Sequence, residues 1–179
     1  MSVLDQIVKA YDIRGTVPDQ LDADVAHALG VGFASCVNAD TGVVARDMRP
    51  SGPKLVDACS RGLMEHGVVV IDIGLASTDL MYFASGTLDL PGAMFTASHN
   101  PAGYNGVKMC LAGARPVGVD TGLGEIRAMA QSVLDGTGPA ANVARGSFEE
   151  RVMLDAFADH ALSFVDLSSI GELRVVADT

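Results

Sequence analysis

The amino-acid sequence predicts an α/β fold, a three-layer α/β/α domain built on a mostly parallel, mixed sheet. Short apolar runs typical of strands alternate with longer segments of helical periodicity, and this alternation is typical of a sheet with helices on both faces. The run at residues 68–73 is continuous and rich in β-branched side chains, as in a strand buried on both faces. Hydrophobic residues make up 49% of the 179 residues, which suits either an apolar α/β core or a surface covered by further chain.

The first elements follow from periodicity. Residues 7–13 form a short apolar run that predicts a strand. Residues 22–38 repeat apolar side chains at helical spacing and predict a helix. Residues 42–45 are a short apolar segment that predicts the next strand. Residues 53–66 carry apolar side chains on one helical face and predict the second helix.

The middle of the chain continues the alternation. Residues 77–86 predict a short helix, and the hydroxyl of Ser77 or Thr78 is available as its N-cap. Apolar runs at residues 92–96 and 106–111 predict two further strands, separated by a polar turn. This polar turn therefore lies at the end of a sheet strand, where α/β proteins bind their ligands.

The last quarter of the chain predicts a change of domain. Residues 121–134 form a helix, and the Gly/Ala/Pro-rich residues 136–146 are typical of a linker. Ser147 and Glu150 fit a capping box that opens a new helix. Residues 173–177 are an apolar run that predicts a strand.

We therefore predict a first domain over residues 1–146 and, over residues 147–179, a linker helix and first strand of an incomplete second domain. A parallel strand needs a crossover connection to return to its sheet, and the sequence stops soon after its last predicted strand. We expect a truncated chain whose last segment packs on the first domain or mediates self-association between copies.

Charge and cysteine usage exclude several classes of partner. A formal net charge of −10 argues against non-specific binding to nucleic acid or to an anionic membrane surface. The first residues have no basic segment followed by an apolar run, so we expect no signal peptide, and the apolar stretch at residues 25–39 is shorter than the roughly 20 residues that span a bilayer. The three cysteines are widely spaced and predict buried thiols in a reducing compartment, so we expect a cytoplasmic protein.

The polar turn at residues 95–108 holds the candidate chemistry. Pro101 biases the residue before it away from the helical region, so that Ser98, His99 and Asn100 are presented at the tip. Ser98 could be a nucleophile, with Lys108 as acid or base, or a carrier of phosphate; a capping serine with a surface lysine is the alternative. A hydrolase is disfavoured because no serine lies in G-x-S-x-G, and an extended backbone would point His99 away from Ser98.

Three segments carry a family resemblance. The first is Thr96-Ala97-Ser98-His99-Asn100-Pro101, followed by Tyr104-Asn105-Gly106-Val107-Lys108. The others are Lys9-Ala10-Tyr11-Asp12-Ile13-Arg14-Gly15 and Arg46-Asp47-Met48-Arg49-Pro50-Ser51-Gly52, although Ala45 stands where a glycine is common. Together, in this order, they resemble the N-terminal part of the α-D-phosphohexomutase family, in particular its bacterial phosphomannomutase/phosphoglucomutase members.

The resemblance implies roles for individual residues. Ser98 would carry the phosphate, and one phosphate oxygen would complete a Mg²⁺ site. Lys108 would be the leading general acid or base. Substrate contacts are implied for Tyr11, Arg14 and His99, and electrostatic or structural support of the serine segment is implied for Arg46, Arg49 and Asn100. Each role has a structural alternative. Arg14 could be a surface arginine at the end of a strand, and Tyr11 could serve in packing. Arg46 and Arg49 could form ion pairs with Asp47 and other nearby acids.

The resemblance also implies an activity, the interconversion of hexose 6-phosphate and hexose 1-phosphate, with mannose favoured over glucose. It would proceed through a phosphoserine enzyme and a hexose 1,6-bisphosphate, which also acts as activator. The alternatives are a phosphoglucosamine mutase, which usually has serine where Thr96 stands, and a non-catalytic phosphosugar-binding or assembly module. The chain lacks the family's D-x-D-x-D metal loop, so we expect the remaining Mg²⁺ ligands from a missing second domain and no activity from this chain alone.

Overall fold

A computed structural model describes residues 2–37, 39–141 and 143–178. Its helices are α1 (Val3–Ile7), α2 (Ala23–Val37), α3 (Gly52–Glu65), α4 (Thr78–Leu88), α5 (Leu123–Leu134) and α6 (Leu154–Leu162). Its strands are β1 (Ile13–Thr16), β2 (Thr41–Arg46), β3 (Val69–Leu75), β4 (Gly92–Phe95), β5 (Tyr104–Leu111), β6 (Arg115–Pro116) and β7 (Phe148–Glu150). Short 3₁₀ turns cover Val119–Thr121 and Leu167–Ser169.

The strands of the described chain form one seven-stranded sheet in the order β1-β5-β4-β2-β3-β7, with β6 paired to β5. The pairs β4–β2, β2–β3 and β3–β7 are parallel, and every pair that includes β5 is antiparallel. Because β5 alone opposes the direction of its neighbours, the sheet is mixed and mostly parallel. The predicted fold class is confirmed.

Helices cover both faces of this sheet. On one face α2, α3 and α5 pack over a core that includes the fully buried Leu29, Phe33 and Phe95. On the other face α4 packs over Met94 and Cys110, and α6 adds Met153 and Phe157 at the edge of that cluster. None of the helices in the described residues is long and apolar enough to cross a bilayer.

Two glycines allow α2 and α3 to lie against each other. A Cβ atom at Gly30 would lie 2.2 Å from the Cys59 carbonyl oxygen, and one at Gly62 would lie 2.3 Å from the His27 carbonyl oxygen. The backbones therefore approach as closely as glycine permits, and a side chain at either position would push the helices apart. Beside this contact, burial raises the pKa of the Cys59 thiol to about 12; Cys110 is also buried, whereas Cys36 is only partly covered.

The predicted strand at residues 7–13 is wrong. The chain instead forms helix α1, whose N-cap Ser2 and third residue Asp5 make a reciprocal capping box, and then strand β1. Leu4 and Ile7 are three positions apart, and both are fully buried on one face of the short helix. The predicted run is therefore divided: Ile7 ends the helix, Val8 forms an isolated antiparallel bridge with Ile13, and only Ile13 belongs to β1. Helix α2 occupies the predicted segment, and residue 38 at its predicted end lies outside the described residues.

The helix predicted to open at Ser147 is also wrong. Residues 148–150 form strand β7 instead, in parallel register with β3. The Val70 N–H donates to the Ser147 carbonyl at 2.8 Å, and the Arg151 N–H donates to the Asp72 carbonyl at 2.9 Å. The free edge of β3 offers these backbone groups, which explains why strand pairing replaces the capping box; helix α6 begins only at Leu154.

The strand predicted at residues 173–177 is absent, because these described residues have no regular structure. A strand needs a hydrogen-bonded neighbour, and none of the described strands lies beside this segment. The other predicted helices and strands are confirmed to within a few residues of their ends. Ser77 caps α4, since its side chain accepts a hydrogen bond from the Leu80 N–H.

Candidate active site at the serine loop

Two loops leave the same edge of the sheet. The serine loop (residues 96–103) follows β4, and the arginine loop (residues 47–51) follows β2. The strands are parallel neighbours, with Arg46 in register with Phe95, so both loops begin at the same level. The edge formed by the carboxyl ends of parallel strands is where α/β proteins bind ligands.

Ser98 lies at the exposed tip of the serine loop in a left-handed conformation, with φ of 51°. Such a conformation is uncommon for a residue with a Cβ and persists when its surroundings hold it. The Ser98 N–H donates to Thr96 Oγ1 at 3.0 Å, and Thr96 Oγ1 donates to Asp47 Oδ2 at 2.8 Å. The Asn100 N–H closes the turn on the Ala97 carbonyl at 3.0 Å. Hydrogen bonds therefore fix the backbone of the loop, and the serine hydroxyl points outward from it.

His99 lies beside Ser98, which corrects the expectation that the two side chains point apart. The Ser98 Oγ atom is 3.3 Å from His99 Nδ1, within hydrogen-bonding reach. The expectation assumed an extended backbone, and the left-handed turn at Ser98 removes the strand alternation on which it depended. His99 can therefore orient the serine hydroxyl.

Arg49 supports the serine loop through hydrogen bonds to its backbone. Its buried guanidinium donates to four backbone carbonyls of the loop and of the start of β5, at 2.7–2.9 Å: Ser98, Asn100, Pro101 and Tyr104. Asp47 in turn orients Arg49, because its carboxylate accepts from the Arg49 N–H at 2.9 Å and lies 3.3 Å from Nε. A planar guanidinium suits this task, since its N–H groups point in fixed directions.

Asn105 joins the two loops from the side of β5. Its buried amide donates to Ser51 Oγ at 2.8 Å and accepts from the Gly106 N–H at 2.8 Å. Gly106 is required by close approach, because a Cβ there would lie 2.2 Å from the Ile13 carbonyl oxygen and 3.3 Å from Arg14 Cγ. The glycine thus leaves the space over which the Arg14 side chain passes.

A cluster of two cations and one carboxylate lies on the adjoining strands. Asp12 Oδ2 is 2.9 Å from Arg14 Nε and 3.3 Å from Lys108 Nζ. Arg14 Nη1 also donates to the Asn100 side-chain oxygen and, at 3.4 Å, to the Ala97 carbonyl. The antiparallel register sets Arg14 opposite Gly106, so strand alternation brings the Arg14 and Lys108 side chains to one face. The cluster therefore connects Lys108 to the serine loop.

Two predicted site residues have no hydrogen bond to the serine loop among the described residues. Arg46 donates to the Asp47 carbonyl at 3.4 Å, and its charge acts on Asp72, the next acid on that edge. Tyr11 is 78% exposed and lines a shallow depression with Pro116 and Val119. The roles of Arg46 and Tyr11 remain predictions.

The structure gives site contacts to four polar residues that were not predicted as site residues: Asp12, Asp47, Thr96 and Asn105; of these, only Asp47 was expected to make a contact, its ion pair with Arg49. All four lie inside the three motifs, so the sequence predicted where they lie in the chain but not which groups they contact. Their side chains act on residues far away in the chain, as when Asp12 contacts Lys108 across 96 positions. Local sequence patterns give no signal for such pairings.

The carboxylates at this sheet edge are engaged by neighbouring side chains. No group of three or more His, Cys, Asp or Glu side chains in the described chain is placed to hold a metal ion. Asp12 is engaged by two cations, and Asp47 by Arg49 and Thr96. Since Mg²⁺ needs several free oxygen ligands, the described residues do not by themselves fit a magnesium ion.

The chain is similar to a family of sugar-phosphate mutases. A family described as phosphoglucomutase/phosphomannomutase, alpha/beta/alpha domain I, matches residues 5–133. A phosphomannomutase of Salmonella montevideo is 37% identical over 173 residues, which cover 96% of this chain and 37% of the relative. Phosphohexose mutases of Xanthomonas campestris pv. campestris (strain B100) are 42% identical over 171 residues, covering 95% and 37%.

Solved structures agree with these matches. A phosphoglucomutase/phosphomannomutase family protein from Burkholderia thailandensis has a TM-score of 0.79 and 35% identity over 94% of this chain and 37% of its own. A putative phosphomannomutase from Thermus thermophilus has a TM-score of 0.77 and 25% identity, covering 89% and 36%. The chain thus spans less than two fifths of the length of these relatives.

Proposed function

This chain belongs to the phosphoglucomutase/phosphomannomutase family, and we propose that it is the phosphoserine-carrying part of a phosphohexomutase. The enzyme would interconvert hexose 6-phosphate and hexose 1-phosphate. One observation carries the proposal: Ser98 projects from a left-handed turn that Arg49 holds by four backbone carbonyls and that Arg14, linked to Lys108 through Asp12, also contacts. An outward hydroxyl among fixed cations suits transfer of a phosphoryl group.

In the proposed reaction, phospho-Ser98 donates its phosphoryl group to the free hydroxyl of a hexose monophosphate. The bond between phosphorus and the serine oxygen breaks, a bond to the sugar oxygen forms, and the product is a hexose 1,6-bisphosphate. The other phosphate of that intermediate then returns to Ser98. The bisphosphate would also act as activator by rephosphorylating a free Ser98.

Each transfer needs a proton moved. In the first transfer the sugar hydroxyl loses a proton and the serine oxygen gains one; in the return transfer the serine hydroxyl loses a proton and the sugar oxygen gains one. Lys108 is the proposed acid and base, and His99, at 3.3 Å from Ser98 Oγ, orients the serine oxygen. Arg14 would neutralise the transferring group. These cations oppose the overall charge of −10, so an anionic sugar phosphate is attracted to this edge in particular.

The remaining parts of the site are proposed to lie outside this chain. The relatives are more than twice as long as the matched region, which supports further domains that hold the sugar and supply ligands to Mg²⁺. On this proposal residues 1–146 form the first domain and residues 147–179 begin the second. The chain by itself would then bind phosphosugars weakly and fail to turn them over. Mannose is the proposed preferred sugar, supported by relatives named phosphomannomutase.

The test is the phosphorylation state of Ser98. Intact mass of the purified protein, with and without phosphatase, should show a removable phosphate, and peptide mapping should place it on Ser98. The Ser98→Ala variant should lose both the phosphate and turnover in the full-length enzyme, whereas Ser163→Ala should retain both. Near-normal turnover by Ser98→Ala with bisphosphate present would overturn the proposal.

A further inference from the structure

We propose that Asp12 is a positioning residue that holds Lys108 and Arg14 as one unit beside Ser98. The inference rests on the proposed function, because it assigns Asp12 a task in phosphoryl transfer at the same site. It goes beyond the roles implied for the two cations, since it concerns what sets their separation and direction.

The geometry centres on a single oxygen atom. Asp12 Oδ2 contacts both Arg14 Nε, at 2.9 Å, and Lys108 Nζ, at 3.3 Å. Two cations so close to each other repel, and the shared carboxylate offsets this repulsion. Because one atom makes both contacts, a displacement of the carboxylate would displace both cations.

The unit is coupled to the reacting serine through Arg14. Its Nη1 reaches Asn100 Oδ1 and the Ala97 carbonyl, which lie on either side of Ser98 and His99 in the chain. On the other side, Lys108 is held in the sheet, where it is in register with Met94 of β4. Asp12 therefore joins a fixed strand position to the flanks of the serine.

Charge balance favours a functional role over a stabilising one. The cluster has two positive charges and one negative charge, so a net positive charge remains for an incoming phosphate. The Asp12, Arg14 and Lys108 side chains are 13%, 24% and 29% exposed, so the two cations remain within reach of solvent and of an anionic ligand.

The first experiment measures the Lys108 amine directly and requires no phosphoryl transfer. The chain contains three lysines, so Lys9 and Lys54 serve as internal references. Reductive methylation at fixed pH, followed by peptide mass spectrometry, should modify Lys108 at least about threefold faster in Asp12→Asn, because the amine is no longer held against the carboxylate and becomes more accessible to the reagent. The references should not change. An unchanged Lys108 rate would overturn the proposal, whatever the state of Ser98.

The second experiment measures turnover of the full-length enzyme with hexose 1-phosphate and bisphosphate. In Asp12→Asn we expect kcat to fall about thirtyfold or more and KM to stay within about threefold, since the cations act on the transferring group. Asp19→Asn, a matched change at an exposed aspartate, should leave both unchanged. A kcat within threefold of wild type would overturn the proposal.

Asp12→Glu covers the case in which Asp12→Asn does not fold. It keeps the charge but moves the carboxylate by one methylene, so Lys108 should stay as slow to methylate as in wild type while kcat falls about tenfold. Wild-type kcat in Asp12→Glu would show that position does not matter and would overturn the proposal. The proposed function has a separate failure, the absence of phosphate on Ser98, which leaves the methylation result unaffected.

Discussion

Two phenylalanines show how differently the two ends of this chain are built. Phe95, at the end of β4, is fully buried, whereas Phe164, just after α6, is 76% exposed. The exposed set continues along the last residues: Val152, Leu173, Val175 and Val176. Both regions are apolar in sequence, but only the first is covered within the described structure.

The difference shows that apolar patterning specifies burial only where a partner surface exists. Around Phe95 the sheet, α2 and α3 supply that surface. The C-terminal segment is held by β7 on the edge of β3, by the buried Met153, and by aromatic contacts of Phe83 with Phe157 and His160, whose ring centroids lie 5.5 and 5.0 Å away. Beyond these contacts its apolar side chains face outward, which is typical of a surface that meets other chain. Self-association through this segment remains a prediction.

The largest effect is expected in the region around β4 and β5, where replacement of Lys108 should lower turnover. Lys108→Met should lower turnover of the full-length enzyme by about 10²–10⁴-fold, the usual loss when an acid or base is removed. Lys54→Met, on the exposed side of α3, should leave turnover unchanged. A loss below threefold at Lys108 would return it to the class of surface lysines and weaken the contrast between the two regions.

The two phenylalanines test the contrast itself. Phe95→Ala should cost about 3–5 kcal/mol in the free energy of unfolding, because it leaves a cavity in the core. Phe164→Ala should change it by about 0.5 kcal/mol or less, because the side chain is largely exposed. Urea denaturation followed by circular dichroism measures both at a low protein concentration. Equal losses would mean that Phe164 is buried in solution, by the same chain or by a second copy.

Replacing Arg49 tests whether the hydrogen bonds that support the serine loop contribute as much to the free energy of unfolding as the apolar core does. Arg49→Ala removes four hydrogen bonds and should cost about 2–3 kcal/mol, because the loop carbonyls lose a charged donor. Arg61→Ala removes an exposed ion pair with Asp57 and should cost about 0.5 kcal/mol. Amide hydrogen exchange of residues 96–104 should increase only in the Arg49 variant; similar exchange in both variants would contradict this role.

The smallest effect is expected at Asp72, where the two regions join. Burial raises the pKa of Asp72, and nearby Glu150 adds to the rise, while the hydrogen bond from Gly74 and the charge of Arg46 oppose it. A raised pKa in the folded state means that this group's stabilising contribution is present at low pH and is lost as pH rises through the folded pKa.

Asp72→Asn should therefore be as stable as wild type near pH 3.5 and more stable at pH 7, by about 0.5 kcal/mol or less once solvent screening is included. The asparagine oxygen can still accept from the Gly74 N–H, which Asp72 Oδ1 accepts at 2.7 Å. Melting temperatures measured across this pH range test the difference. A variant that is less stable at neutral pH would show that the charge of Arg46 outweighs burial.

Most of the fold could be predicted because its elements are long and periodic. Helices α2 and α3, at 15 and 14 residues, span several turns of the amphipathic pattern, and β3 is rich in β-branched side chains. The strand expected at residues 173–177 has no neighbouring strand, and the other two wrong predictions concern α1, at five residues, and β7, at three. Elements this short carry too few periods for a pattern, so burial of Leu4 and Ile7 decided one and the free edge of β3 decided the other.

The candidate site, like the fold, has features that the sequence predicted and features that it did not. The sequence by itself determined the three motifs, their order, and the positions of the arginine loop and the serine loop at the ends of strands, and through the resemblance it indicated Ser98, Lys108, Arg14 and Arg49. These conclusions depend on residue types and on near neighbours in the chain.

Only the tertiary structure decided which groups meet. Arg49 reaches the Ser98 carbonyl across 49 positions, and Lys108 reaches Asp12 across 96. The left-handed turn that brings His99 to the serine hydroxyl is likewise held by Asp47 and Thr96, which come from different loops. Hydrogen bonds form wherever folding brings donor and acceptor within about 3 Å. The orientation of the serine is therefore a property of the assembled sheet edge and not of any one motif.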